Sequence, residues 1–167
     1  MSGLPITRFP DPRLKRPTRS VERVDAEVRR LLDAMIATMR KHPRCVGLAA
    51  PQVGSDLRVA VMDASVHPKA GRTRGLLVLV NPRLELLGEA AIQREGCLSV
   101  PDFTANVRRA SRVRLAALDR DGAAYELGLE GFEAIVAQHE VDHLDGLLFL
   151  DRVANIRTDV FRRKTYL

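Results

Sequence analysis

The 167-residue chain has no Trp, and its aromatic residues are two Tyr and five Phe. A core must therefore come from Leu, Val, Ile and Ala, and aromatic stacking positions for nucleic acid are few. Two Cys cannot make a disulfide framework. No apolar run approaches the ~20 residues that a membrane-spanning helix needs. The start, Met1-Ser2-Gly3-Leu4-Pro5, lacks the apolar region of a signal peptide. Internal repeats and low-complexity tracts are also missing. Hydrophobic residues still make up 46% of the chain, so disorder throughout is excluded, and the length suits one domain with a full core.

The formal net charge is +6. Such a balance can draw a protein to RNA or ribosomes through phosphate attraction. The basic residues are scattered, however, so a solvated surface is the preferred reading and specific DNA binding is not expected.

Against this plain background one segment stands out: His139-Glu140-Val141-Asp142-His143, an H-E-x-x-H motif within a run that reads as helix. Histidines four apart stand on one helical face and can reach one metal ion, while the Glu between them can serve a metal-bound water. The source of the third ligand decides the enzyme class. Metalloproteases of the H-E-x-x-H-x-x-G-x-x-H type take it downstream. This chain follows that pattern to Gly146 but has Phe149 at the last position, and beyond His143 there is no further His or Glu. His42 and His67 lie far upstream in polar, Pro-flanked contexts. Cys97, in Glu95-Gly96-Cys97-Leu98-Ser99, is the good remaining candidate. A Cys/His/His set leaves a fourth position open to water, as catalytic sites require. The alternatives are a chance motif on an amphipathic helix and an inert buried thiol. A thiolate ligand also favours a reducing compartment, hence the cytoplasm.

Three separated motifs resemble those of the peptide deformylases. Val46-Gly47-Leu48-Ala49-Ala50-Pro51-Gln52 is similar to the family's Gly-x-Gly-Leu-Ala-Ala-x-Gln loop. Glu95 to Ser99 matches its Glu-Gly-Cys-Leu-Ser segment, and Gln138 to Gly146 matches its Gln-His-Glu-x-Asp-His-Leu-x-Gly helix. Asp11-Pro12-Arg13-Leu14 is similar to the family's N-terminus, so the likeness spans nearly the whole chain. Two positions depart from it. Cys45 stands where the family has Gly, and would be strained if the backbone there required positive φ. Thr104 stands where many bacterial members carry an Arg near the bound peptide.

The resemblance implies removal of the formyl group from the N-formylmethionine of nascent peptides, releasing formate. Cys97, His139 and His143 would hold one divalent metal, with Fe²⁺ as the working ion and Zn²⁺ or Ni²⁺ able to replace it. Glu140 would move the proton from water to the departing amine. Also by resemblance, the Gln52 amide and the Leu98 backbone N–H would donate to the charged oxygen, and Glu95 would pair with Arg109 to brace the Cys loop. Gly47 would let the peptide backbone lie close. Phe132, Ile135 and Val136 precede His139 by seven, four and three residues, and with Val46 nearby they could line a pocket for the Met side chain or simply pack the core. Asp142 could orient a metal-bound His, but a solvated helix-face carboxylate is the preferred reading; Cys45 reads as a small buried filler. A zinc endopeptidase and a non-catalytic, ribosome-associated metal protein are the rival classes.

The pattern along the chain predicts an α+β fold in a single domain, with mixed or antiparallel strands around a central helix carrying H-E-x-x-H. Residues 1–20 read as an extended arm. Asp25 is a helix N-cap, Val28, Leu31, Leu32, Met35, Ile36 and Met39 recur at helical spacing, and His42-Pro43 ends that run. Strands are expected at 57–62 and at 76–80, the latter closed by Asn81-Pro82. Short strands are expected around Gly88 within 84–92, and Pro101 stops regular structure. Residues 113–118 and 124–129 flank Asp121-Gly122 as a hairpin. The motif helix covers 132–144 with Gly146 just past its end, and 151–167 form a basic tail.

Overall fold

The computed structural model describes residues 3–164. Its sheet is antiparallel throughout and holds β1 (Gly47–Ala49), β2 (Val59–Asp63), β3 (Leu76–Cys97), β4 (Val100–Leu118) and β5 (Ala124–Glu130) in chain order, with β6 (Val160–Arg162) pairing the start of β4. Helix α1 (Ala26–Lys41) lies against one face of the sheet and α2 (Gly131–Leu144) against the other. A short helix, α3 (Ile156–Asp159), precedes β6. No helix among the described residues is long and apolar enough to cross a membrane.

The two-sided burial of the sheet follows from its alternation. Leu48, Val59, Val61 and Val80 face Val28, Leu32, Met35 and Met39 of α1. Their strand neighbours Ala49, Ala60, Met62 and Leu79 face Ala134, Val136, Ala137 and Leu144 of α2. Full burial of each large aliphatic side chain contributes roughly 1.5–3 kcal/mol. At the start of α1 the Asp25 carboxylate accepts from the backbone N–H groups of Glu27 and Val28, and His42 caps its end.

The hairpin around Asp121-Gly122 and the Gly146 stop after α2 form as expected. The long strands do not. Asn81-Pro82 was expected to close a strand, and Gly88 to separate short ones. Instead β3 runs for 22 residues, and register shifts at Val80/Arg83 and Leu87/Ala90 absorb these interruptions. Gly88 adopts φ +71° at the second shift, the conformation a bulge requires. Pro101 does not stop structure either; it is the second residue of β4. The β3–β4 register jumps there from Cys97↔Val100 to Gly96↔Thr104, so residues 101–103 have no partner in β3 and the missing proline N–H costs no ladder bond.

The N-terminal arm is more than an extension. Leu14, in a helical turn at Pro12–Lys15, is fully buried. The Thr7 N–H donates to the Gln52 carbonyl at 2.8 Å and the Phe9 N–H to the Ser99 carbonyl at 2.9 Å. The arm thus straps together two loops that carry site residues. The basic tail is only partly helical and returns to the sheet as β6; its last residues, 165–167, lie outside the described residues.

Candidate metal centre

Two elements bring the donors together. The β3–β4 turn at Leu98-Ser99 presents Cys97, and α2 presents His139 and His143 one turn apart. One donor atom from each lies within 4.8 Å of the others. Cys97 Sγ is 3.3 Å from His143 Nε2, and the two imidazole rings meet edge to face with centroids 4.9 Å apart. Cys97 and His143 are buried.

The surroundings fix which nitrogen of His139 faces the centre. Its Nδ1 lies 2.8 Å from the Glu95 carboxylate, which leaves Nε2 for a ligand. Glu95 is gripped in turn by Arg109, with Nε–Oε1 at 2.6 Å and Nη2–Oε2 at 3.0 Å. Arg109 also donates to Asp142 at 2.6 Å, and Arg152 closes the other side of Asp142 at 2.7 Å. Asp142 is therefore no solvated carboxylate, contrary to expectation. It is 6% exposed, because α2 is packed on nearly every side and its polar residues are absorbed by partners. Asp142 holds Arg109 in place and does not touch a histidine.

Electrostatics favour the ligating forms. Burial pushes the Cys97 thiol up, but the charges and hydrogen bonds of His143 and His139 outweigh it and hold Cys97 well below the usual thiol range. The thiolate is the form that binds metal. Glu95 is pushed up by burial, yet Arg109 and His139 bring it down to about 2. Glu140 goes the other way: burial lifts it to about 7 against the pull of His139 and His143. Such a carboxyl can both take and return a proton near neutrality. Among the described residues, Glu140 Oε2 and His143 Nδ1 are the buried side-chain atoms without a hydrogen-bond partner. Leaving a buried polar atom unpaired costs about 1–3 kcal/mol. His143 meets Cys97 through its other nitrogen, Nε2, so Glu140 Oε2 is the orphan that counts here: a thiolate, two imidazoles and a free carboxylate oxygen suit a divalent ion with one coordination position left for a reactant.

The centre opens into a cleft of about 1300 Å³ whose walls include Val46, Gly47, Phe132, Ile135 and Val136. A Cβ on Gly47 would overlap the Glu140 carboxyl, 2.6 Å from Cδ, so glycine is needed for Glu140 as much as for any ligand. Gln52 is buried; its carbonyl oxygen accepts from the Ala49 N–H at 2.9 Å, and its amide NH₂ donates to Cys97 Sγ at 3.3 Å and Ser99 Oγ at 3.2 Å. Leu98 also lines the cleft. Cys45 escapes the feared strain because the left-handed conformation falls on Arg44 (φ 65°). It is half-buried: it packs against the core under α1, as a filler would, and also lines the cleft. Its thiol donates to the Gly47 carbonyl at 3.1 Å, and burial pushes it up to about 12.

Sequence reasoning missed three contributors. Gln138 pins α2 to β4: its Oε1 accepts from the Ala110 N–H and its Nε2 donates to the Ala110 carbonyl, imitating a strand partner. Its place inside the motif was the available signal. Phe149, noted as a lost ligand, stacks on His139 at 6.3 Å between centroids. His67 stacks on Phe132 at 4.6 Å, a contact with no local sequence signal.

The family model described as polypeptide deformylase matches residues 4–159. A peptide deformylase of Azotobacter vinelandii is 46% identical over 165 residues, covering 98% of this chain and 95% of its own length. One from Alkalilimnicola ehrlichii is 44% identical over 164 residues, covering 98% and 89%. The crystal structure of peptide deformylase from Thermotoga maritima superposes with a TM-score of 0.84 at 35% identity, covering 93% of this chain and all of that one. A class I type b peptide deformylase from Acinetobacter baumannii, with Met-Ala-Ser bound, superposes with a TM-score of 0.84 at 36% identity, covering 91% and 99%.

Proposed function

The chain belongs to the peptide deformylase family, and we propose that it hydrolyses the formamide of N-formylmethionyl peptides to formate and a free amine through Cys97, His139, His143, Glu140, Gln52 and Leu98. One observation carries the site assignment: a thiol and two imidazoles from distant segments lie within 4.8 Å, beside a buried carboxylate oxygen with no partner.

Cys97, His139 and His143 would hold one divalent ion, iron(II) as the working metal, with zinc or nickel able to use the same donors. When bound, the ion supplies Lewis acidity at the formyl oxygen and makes water easier to ionise. Glu140 takes a proton from the attacking water through its free Oε2 and returns it to the peptide nitrogen as the C–N bond breaks. The Gln52 amide, already aimed at Cys97 and anchored through Ala49, donates to the oxygen that gains charge, together with the Leu98 N–H. Glu95 and Arg109 fix the rotation of His139. Phe132, Ile135, Val136 and Val46 offer the methionine side chain an apolar wall. Met-Ala-Ser is the amine product that formyl-Met-Ala-Ser would leave, so the ligand of the Acinetobacter structure supports this substrate class.

We place the activity in the cytoplasm, where nascent formylated chains appear; ribosome attraction through the basic surface is the weaker extension of the same reading. The test is metal content measured together with formate release from formyl-Met-Ala-Ser. Formate in step with bound metal, with no internal cleavage of unformylated peptides, is expected. Internal cleavage without formate would instead favour an endopeptidase. An iron-loaded sample should lose activity in air as the thiolate oxidises; unchanged activity would argue against iron.

A further inference from the structure

The cleft separates its charges by depth. Its two carboxylates, Glu95 and Glu140, are buried at the floor. The exposed charged side chains around it are all positive: Arg44, Lys69, Arg94, Arg162, Arg163 and Lys164. Over the whole chain 27 cations accompany 21 carboxylates, so a rim of mixed sign would be the ordinary outcome. Elsewhere Arg13, Arg19, Arg58, Arg114 and Arg120 sit within 3.0 Å of a carboxylate. Among the described residues none of the six rim cations is in an ion pair.

Local contacts hold these cations at the cleft. The Arg94 guanidinium sits 3.6 Å above the Phe161 ring, and its Nε donates to Asn106 at 2.9 Å. The Arg163 guanidinium lies so close over Gly96, beside Thr104, that a Cβ at Gly96 would overlap it. β6 brings Arg162 to Lys164 here by pairing with Phe103 to Ala105 of β4. On the β1–β2 side, His67 stacks on Phe132, and burial together with the Lys69 and Arg44 charges holds it below the usual imidazole range.

A cleft lined by one sign of charge concentrates ligands of the other sign. We propose that this rim makes the enzyme select formyl-Met peptides that carry carboxylates in the residues following the methionine. The inference rests on the deformylase reading: with formyl-Met at the floor, the next residues must cross the rim. The cations line the same cleft that leads to Cys97, drawn from the β1–β2 side and the β3–β6 side. Of the phenyl rings in the cleft, Phe161 is covered by Arg94 and Phe132 by His67. These features fit an acidic peptide better than an RNA strand, which would use a track with free stacking faces.

The test measures kcat/KM by formate release for C-terminally amidated formyl-Met-Glu-Glu, formyl-Met-Ala-Ser and formyl-Met-Lys-Lys on the metal-loaded enzyme. At low salt the order should be Glu, Ala, Lys, with about tenfold between the first and last, carried by KM; at about 0.5 M NaCl most of that spread should vanish. The double variant Arg163→Ala/Lys164→Ala should cut the Glu-to-Lys ratio to about threefold or less at low salt. Equal values for the three peptides in the wild-type enzyme would overturn the inference, whether or not the rim then bound an RNA hairpin. No formate from any peptide would remove the deformylase premise, and the inference with it.

Discussion

Arg109 and Arg163 flank one short segment, Glu95 to Cys97, and carry their charges differently. Arg109 is 4% exposed and shares its guanidinium between Glu95 and Asp142. Arg163 is exposed, lies over Gly96 and has no carboxylate partner among the described residues. The first belongs to a chain of partners running from His139 to Arg152, buried at Glu95, Arg109 and Asp142. The second belongs to a rim held open to whatever enters. A buried charge must be satisfied from within, so the floor is rigid and its failure is structural. An exposed charge is stabilised by water and can be left for a ligand, so losing it should change selection and not folding.

The largest effect should come where the floor meets the chemistry. Glu140→Ala is expected to reduce formate release by about 10³-fold, with metal content, read by elemental analysis, unchanged. Near-normal turnover would show that the floor's proton carrier lies elsewhere.

Next in size is Arg109→Ala, which would leave the buried Glu95 without its arginine and Asp142 with only the exposed Arg152. Breaking such a pair costs about 3–5 kcal/mol. Urea denaturation should show that loss. A cost below about 1 kcal/mol would mean the floor is not sealed, and the contrast with the rim would fail.

Gly47→Ala tests whether the floor is also sterically tight. The added Cβ meets the Glu140 carboxyl, and Glu140 must turn away. Misplacing a reacting group by about 1 Å can cost ~10²-fold, so kcat/KM should fall by about that much while the denaturation midpoint changes little. An unaltered kcat/KM would show that Glu140 has room to spare.

The same division explains what could be seen in the sequence. The donors were legible because each is set by local rules: the helix period aligns His139 with His143, and Glu95 to Ser99 is one short run. The Asp25 cap, the α1 stripe and the Asp121-Gly122 hairpin were legible on the same ground. Asp142 was misread because a polar residue on a helix normally marks solvent, and nothing nearby announced that Arg109, 33 residues upstream, would bury it. The length of β3 was missed because Asn81-Pro82 and Gly88 look like stops, whereas the strand bulges past both. The rim had no signature at all. Its cations come from four separate segments, and the last three reach the cleft only because a three-residue strand returns to β4.

The smallest expected effect gives the sharpest comparison, because Asp142 is held by one arginine of each kind. Arg109 Nη1 reaches Asp142 Oδ2 at 2.6 Å from a side chain 3% exposed, whereas Arg152 reaches Oδ1 at 2.7 Å from a side chain 47% exposed. The shortest contacts are nearly equal, and Arg152 adds a second from Nε to Oδ2 at 3.1 Å, so Coulomb attraction at fixed dielectric would make Arg152 no less important to Asp142 than Arg109. Solvent breaks that symmetry. Removing Arg152 lets water reach the outer oxygen of Asp142 while Arg109 still holds the inner one. Arg152→Ala should therefore cost only about 0.2–1 kcal/mol by urea denaturation, against several for Arg109→Ala. Formate release should be close to wild type, since Glu95 and His139 keep their partners. If the two substitutions cost the same, contact distance and not burial would govern this network, and the line between floor and rim would have to be drawn elsewhere.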